Sequence, residues 1–146
     1  VKKAGRLRLI PSPCHCLGVR QAARHMTLLY DRHLAEIGLR ATQFSVLMVL
    51  DQAGPLAVNE LALFLVLDRT ATGRALRPLS RDGLVEIGPG HDGRTRALTL
   101  TEAGRVKLEA AYIIWKRAQD EFEAQYGGVT EAEALRLSLA RVIGRA

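Results

Sequence analysis

LDRTATGRALRPLSRDGLVEI, residues 67–87, runs directly into GPGHDGRTRALTLT, residues 88–101, and these two stretches decide the fold. Asp68 stands where its carboxylate can accept from the open amides of a helical first turn, so a helix is expected over about Leu67 to Arg81. On a 3.6-residue period Thr70, Gly73, Arg74, Arg77 and Arg81 share one face, with Arg69 opening the helix, while Ala71, Ala75, Leu76 and Leu79 turn inward. Gly73 and Pro78 weaken this helix by propensity alone, so its surroundings must hold it. Gly83 ends it. Leu84 to Ile87 and Arg94 to Leu100 alternate as strands, the second with Leu98 and Leu100 on one side. Between them a Gly-rich tip carries Arg94 and Arg96 at its base, and Asp92 is placed to hold the Arg94 guanidinium.

Upstream, AVNELALFLVL at 57–67 spells a short helix too apolar to stand alone. The capping box that Glu60 would complete has Ala57 at its first position, and Asn59 is a candidate cap for a helix beginning slightly later. Helix, turn, arginine-studded helix and two strands in this order form a winged helix-turn-helix. Hydroxyl and guanidinium groups on the second helix suit phosphates and the acceptor edge of guanine in a major groove. A narrow hairpin tipped with arginine suits the neighbouring minor groove. The candidate DNA-binding residues are therefore Arg69, Thr70, Arg74, Arg77, Asp92, Arg94 and Arg96.

Outward from this unit the chain is helical. Val19, Ala22 or Ala23, Met26, Leu29 or Tyr30, Leu34 and Ile37 predict one long helix with a single buried stripe, opened at Cys14 or Cys16 and closed by Gly38. A second helix is expected from about Thr42 to Gln52, ended by Ala53-Gly54-Pro55. Thr101 caps a long helix that stops at Gly127-Gly128, and a last one begins near Thr130. The fold class is thus mainly α with a small β-hairpin wing and about six helices. The terminal helices carry more apolar surface than so small a domain covers internally. A dimerisation region is expected over about 14–37 and 102–146, flanking a winged helix-turn-helix at about 40–100, and a two-fold dimer suits a palindromic duplex.

Charge points the same way. Residues 1–100 hold 14 basic and 8 acidic side chains, whereas residues 101–146 hold 7 of each, so the whole excess of +6 lies in the part with the arginine-rich helix and tip. That distribution favours a polyanionic partner. Residues 1–13, with Lys2, Lys3, Arg6, Arg8 and two prolines, are expected to be a basic flexible arm. No apolar run approaches the ~20 residues of a bilayer span, and no secretory signal is recognisable, which gives a cytoplasmic protein with no membrane association. Cys14 and Cys16 are too close to form a disulfide framework, and Cys14-His15-Cys16 lacks the second ligand pair of a metal site. No cofactor is expected. The four histidines show no catalytic spacing and no phosphate-binding Gly loop is present, so an enzyme is disfavoured. The alternative reading is a winged-helix interaction module whose basic helix docks on an acidic partner.

LDRTATGRALRPLSRDGLVEI followed by HDGRTRALTLTEAGR resembles the MarR family of winged-helix transcription regulators. The likeness covers about residues 14–145. Its most specific part is the pattern Asp-x-Arg-x-x-x-Leu-x-Leu-Thr-x-x-Gly, met by Asp92, Arg94, Leu98, Leu100, Thr101 and Gly104. The resemblance implies a homodimeric repressor on palindromic promoter DNA, released by a small-molecule effector or an oxidant. Members commonly carry Thr along the first turns of the recognition helix, where this chain keeps Thr70 but has Ala71 and Gly73. The first helix is also similar to the organic-hydroperoxide-sensing branch, in which a cysteine precedes a tyrosine by fourteen residues, as Cys16 precedes Tyr30 here. A helix N-terminus, aided by a protonated His15, favours the thiolate. That branch's second tyrosine aligns with Ala41, and cysteines packed at a dimer seam are the other reading. His25 and His33 either line an effector cavity or are satisfied locally.

Overall fold

A computed structural model describes residues 13–145. In chain order it contains α1 (His15–Leu34), a 3-10 turn (Ala35–Ile37), α2 (Ala41–Ala53), β1 (Leu56–Ala57), α3 (Val58–Leu65) and α4 (Arg69–Arg81). β2 (Val85–Pro89), β3 (Arg96–Leu100), α5 (Glu102–Tyr126) and α6 (Val129–Val142) follow. The basic arm expected over 1–13 lies outside the described residues except for Pro13. Among the described residues no helix is long and apolar enough to cross a membrane.

The ends of the elements follow from local chemistry. Gly38, at φ +70°, closes the 3-10 turn in the left-handed region that glycine enters at least cost. Asp31 takes over the cap of α2: its carboxylate accepts from the Ala41 amide at 2.7 Å and pairs with Arg40 at 3.2 Å. Thr101 caps α5, accepting from the Gly104 amide at 3.0 Å while its hydroxyl donates to the Gly83 carbonyl at 2.7 Å. One side chain thereby ties the start of α5 to the turn after α4. Asn59 does not cap α3, which begins at Val58; instead the Glu60 carboxylate reaches back to the Ala57 amide at 2.8 Å. Only this half of a capping box forms, because the other half needs a side-chain acceptor that alanine lacks.

The sheet is larger than the expected hairpin. β1 adds a third strand, in the order β1-β3-β2, all antiparallel. Leu56 and Ile87 both stand opposite Leu98, one on each side of β3. Two extended residues between Pro55 and α3 are too few to read as a strand, yet they satisfy the open edge of β3. One core lies where α2, α4, α5 and this sheet meet, built on Leu34, Leu47, Leu61, Leu79, Leu98 and Leu108, none more than 1 % exposed. Phe44 stacks on Trp115 at 6.1 Å and meets Tyr112 edge-on at 5.6 Å, joining α2 to α5.

The single buried stripe expected along α1 is present only in its second half. Residues 15–25 are exposed, and burial starts around Met26 and Leu29. In this chain the N-terminal half of α1 has too little of α5 beside it to be covered.

Candidate nucleic-acid interface

α4 is set on the core by its inward stripe, Thr72, Ala75, Leu76 and Leu79, all buried. Asp68 fixes its first turn, accepting from the Ala71 amide at 2.7 Å. Thr72, 1 % exposed, resolves its buried hydroxyl by donating to the Asp68 carbonyl at 2.8 Å. Pro78 does not end the helix, which continues to Arg81. The opposite arc is left to Arg69, Thr70, Gly73, Arg74, Arg77 and Arg81, all exposed, as their spacing predicts.

That arc has two sides. Arg69, Gly73 and Arg77 line a cleft of about 870 Å³ between α3, α4 and the wing, whose other wall is Arg94, Thr95 and Arg96. Four of the predicted arginines therefore share one concave space, although they come from two elements separated in sequence. Arg74 lies on the other side, in a hollow of about 340 Å³ with Arg40, Thr42 and Gln43 at the start of α2. Arg40 was not among the predicted site residues, because its place beside α4 depends on how α2 packs. Arg81 is engaged by Asp82, its Nε donating to the carboxylate at 2.9 Å. By contrast, Arg69, Arg74, Arg77, Arg94 and Arg96 have no ion-pair partner among the described residues.

The wing tip is a closed turn. The Gly90 amide donates to the Thr95 carbonyl at 2.7 Å, and Gly93 adopts φ +66°. Asp92 does not hold the Arg94 guanidinium as expected. Its Oδ1 accepts from the backbone amides of Arg94 at 3.0 Å and Thr95 at 2.9 Å, and from the Thr95 hydroxyl at 2.7 Å. A carboxylate two residues before a turn reaches those amides more readily than the end of a long side chain. The bonds to Thr95, and then that to Arg94, pull the Asp92 carboxyl down to about 2. Asp92 shapes the tip and leaves the Arg94 guanidinium without it.

The second group of candidate residues is not brought together within one chain. Cys16 is exposed in the first turn of α1. Tyr30 lies fourteen residues on, roughly 21 Å along the axis, and its hydroxyl donates to Gln119 of α5. Burial is the main cause that raises the Tyr30 phenol above its ordinary value, with Glu123 adding to it. His33 is satisfied by Glu121 at 2.6 Å, and Arg32 meets the same carboxylate at 2.5 Å. These bonds, that of His33 first, hold the Glu121 carboxyl below its usual value. His25 borders a hollow of about 320 Å³ with Leu28, Leu29 and Gln125.

The model of the family described as "MarR family" matches residues 37–95, the span from the end of α1 to the wing. The transcriptional regulator MosR of M. tuberculosis, solved in complex with DNA, is 35 % identical; the match covers 88 % of this chain and 95 % of that one, with a TM-score of 0.75. The chain belongs to the MarR family. A probable transcriptional regulator from Pseudomonas aeruginosa is 27 % identical over 89 % of this chain and 97 % of that one, with a TM-score of 0.79. An uncharacterized HTH-type transcriptional regulator of Bacillus subtilis (strain 168), YwoH, is 26 % identical over 74 % of this chain and 79 % of its own. The protein is accordingly a MarR-type transcriptional regulator and not an enzyme. Its mainly helical winged helix-turn-helix is the fold of these neighbours.

Proposed function

We propose that this MarR-type regulator binds double-stranded DNA as a homodimer and represses a promoter with a palindromic site. The observation that carries the reading is the cleft in which Arg69 and Arg77 of α4 face Arg94 and Arg96 of the wing without an acidic partner among the described residues. Unpaired guanidinium groups in a concave surface attract a polyanion, and a helix beside a hairpin matches a major groove beside a minor one. Thr70 and Arg74 extend the contact along the outer side of α4, and Asp92 acts by shaping the wing. That MosR was solved with DNA supports the same use of this surface.

The dimer reading rests on apolar side chains that one chain leaves in water. Leu17 and Leu28 stand three turns apart on α1, Val106 and Ile113 oppose the buried stripe of α5, and Leu137 and Val142 project from α6. The helices over 14–37 and 102–146 are assigned to the dimer arm and 40–100 to the reading head. Cys16, exposed at the start of α1, is the group through which an oxidant would act, and a small aromatic effector acting on the arm is the other route to release.

Selection of duplexes from a random pool by the wild-type protein tests the reading. Enrichment of a palindrome bound by two chains is expected; no enrichment overturns it. The selected duplex is then titrated after peroxide treatment of wild type and Cys16→Ser. Release of the wild type alone assigns the thiol route, and release of neither removes it.

A further inference from the structure

The residues after α6 reach back to the reading head. After Val142 the chain turns back at Gly144, φ +71°, whose amide donates to the Arg141 carbonyl at 3.2 Å, while the Arg145 amide donates to Ala140 at 2.9 Å. This left-handed closure carries the next side chain off the helix axis. The Arg145 guanidinium lies 4.5 Å from the centre of the Phe64 ring and donates to the Leu63 carbonyl at 3.2 Å. Both partners are in the last turn of α3, the first helix of the reading head, and Leu63 also lines the arginine cleft. The ring, half exposed, gives the cation a face, and the Leu63 carbonyl, which also accepts from the Val66 amide at 3.3 Å, offers the guanidinium its second lone pair. Two different contacts by one side chain thus join the arm to the head at a point far in sequence from the covalent link through α5.

We propose that Arg145 is a positioning residue: clamped on Phe64, it fixes where the head sits relative to the arm and so sets the half-site spacing that two heads accept. Without it the head keeps its links at the start of α2 and the start of α5, and its position becomes softer. The inference rests on the DNA reading above and concerns spacing, not contact with DNA.

The test uses the full chain and the duplex selected by the wild type, remade with its half-sites moved apart by one and two base pairs. Arg145→Ala and Phe64→Leu are each expected to cut the preference for the selected spacing about 2- to 5-fold, the size of one exposed cation–π contact. Arg145→Lys, which keeps a cation over the ring, restores most of it. Hydrogen exchange at the Val66 and Leu67 amides, which close the end of α3, rises by a similar factor in the first two variants. An unchanged spacing preference in both variants overturns the proposal, whether or not exchange rises. Failure of the wild type to select any duplex instead sinks the DNA reading, and unaltered exchange in that case removes the clamp as well.

Discussion

A Cβ built on Gly104 would lie 2.1 Å from the carbonyl oxygen of Leu84 and 2.7 Å from Leu100 Cδ1. The first turn of α5 is therefore pressed onto the base of the wing, and the Thr101 amide reinforces the contact by donating to the same Leu84 carbonyl at 3.1 Å. This gives the final Gly of the wing pattern a physical reason. Gly104→Ala forces backbone apart and is expected to cost about 3 kcal/mol in urea unfolding. A loss within about 0.5 kcal/mol would mean that α5 does not need this close approach.

Val66 is the one non-glycine residue at positive φ among those described, +53°, and it joins α3 to α4. A β-branched side chain there is strained, and at 68 % exposure little burial compensates. Val66→Asn, whose short polar side chain tolerates this region, should raise stability by about 1 kcal/mol with unchanged DNA affinity. Thermal and urea unfolding read the gain. A destabilised variant would show that the methyl groups of Val66 are buried in the working assembly.

Asp92 links the wing to pH. Its native carboxyl titrates at about 2, below the ~4 of an unfolded aspartate, so its bonds are complete above about pH 4 and are lost as pH falls towards 2. An NMR titration should give the carboxyl and the Thr95 amide a common midpoint near 2. Asp92→Ala should speed Thr95 amide exchange at neutral pH and weaken DNA binding. A carboxyl that titrates near 4 would contradict the bonded turn.

The exposed apolar face predicts the oligomeric state. Ile113→Asp and Leu137→Asp each place a carboxylate where a seam is expected. An unpaired buried charge costs several kcal/mol, so the dissociation constant should rise by about two orders of magnitude. Sedimentation equilibrium checks this, and dimers of unaltered affinity would move the seam elsewhere.

Much of this architecture is legible because its signals are local. Asp68, Thr101, Gly38 and Gly83 each act within a few residues of their own position, so the caps of α4 and α5 and the stops at the 3-10 turn and after α4 can be read directly. The exposed arc of α4 follows from period alone. What depends on packing is not legible: that Arg74 parts from Arg77 is decided by α2, and that Leu56–Ala57 is a strand is decided by β3. The sequence places Asp92 beside the Arg94 guanidinium, but its carboxylate takes the Arg94 amide instead, since its backbone reach outcompetes a side-chain pair. The contact of Arg145 with Phe64 spans most of the chain and has no sequence signal at all.

The central claim is that arginines of α4 and of the wing grip one duplex together. Binding of wild type and Arg94→Ala to the selected duplex, titrated at several salt concentrations, tests it most directly. The predicted result is weaker binding to every duplex and a log affinity against log salt slope shallower by about one unit for each chain bound. An Arg94→Ala protein with the affinity and slope of the wild type would contradict it.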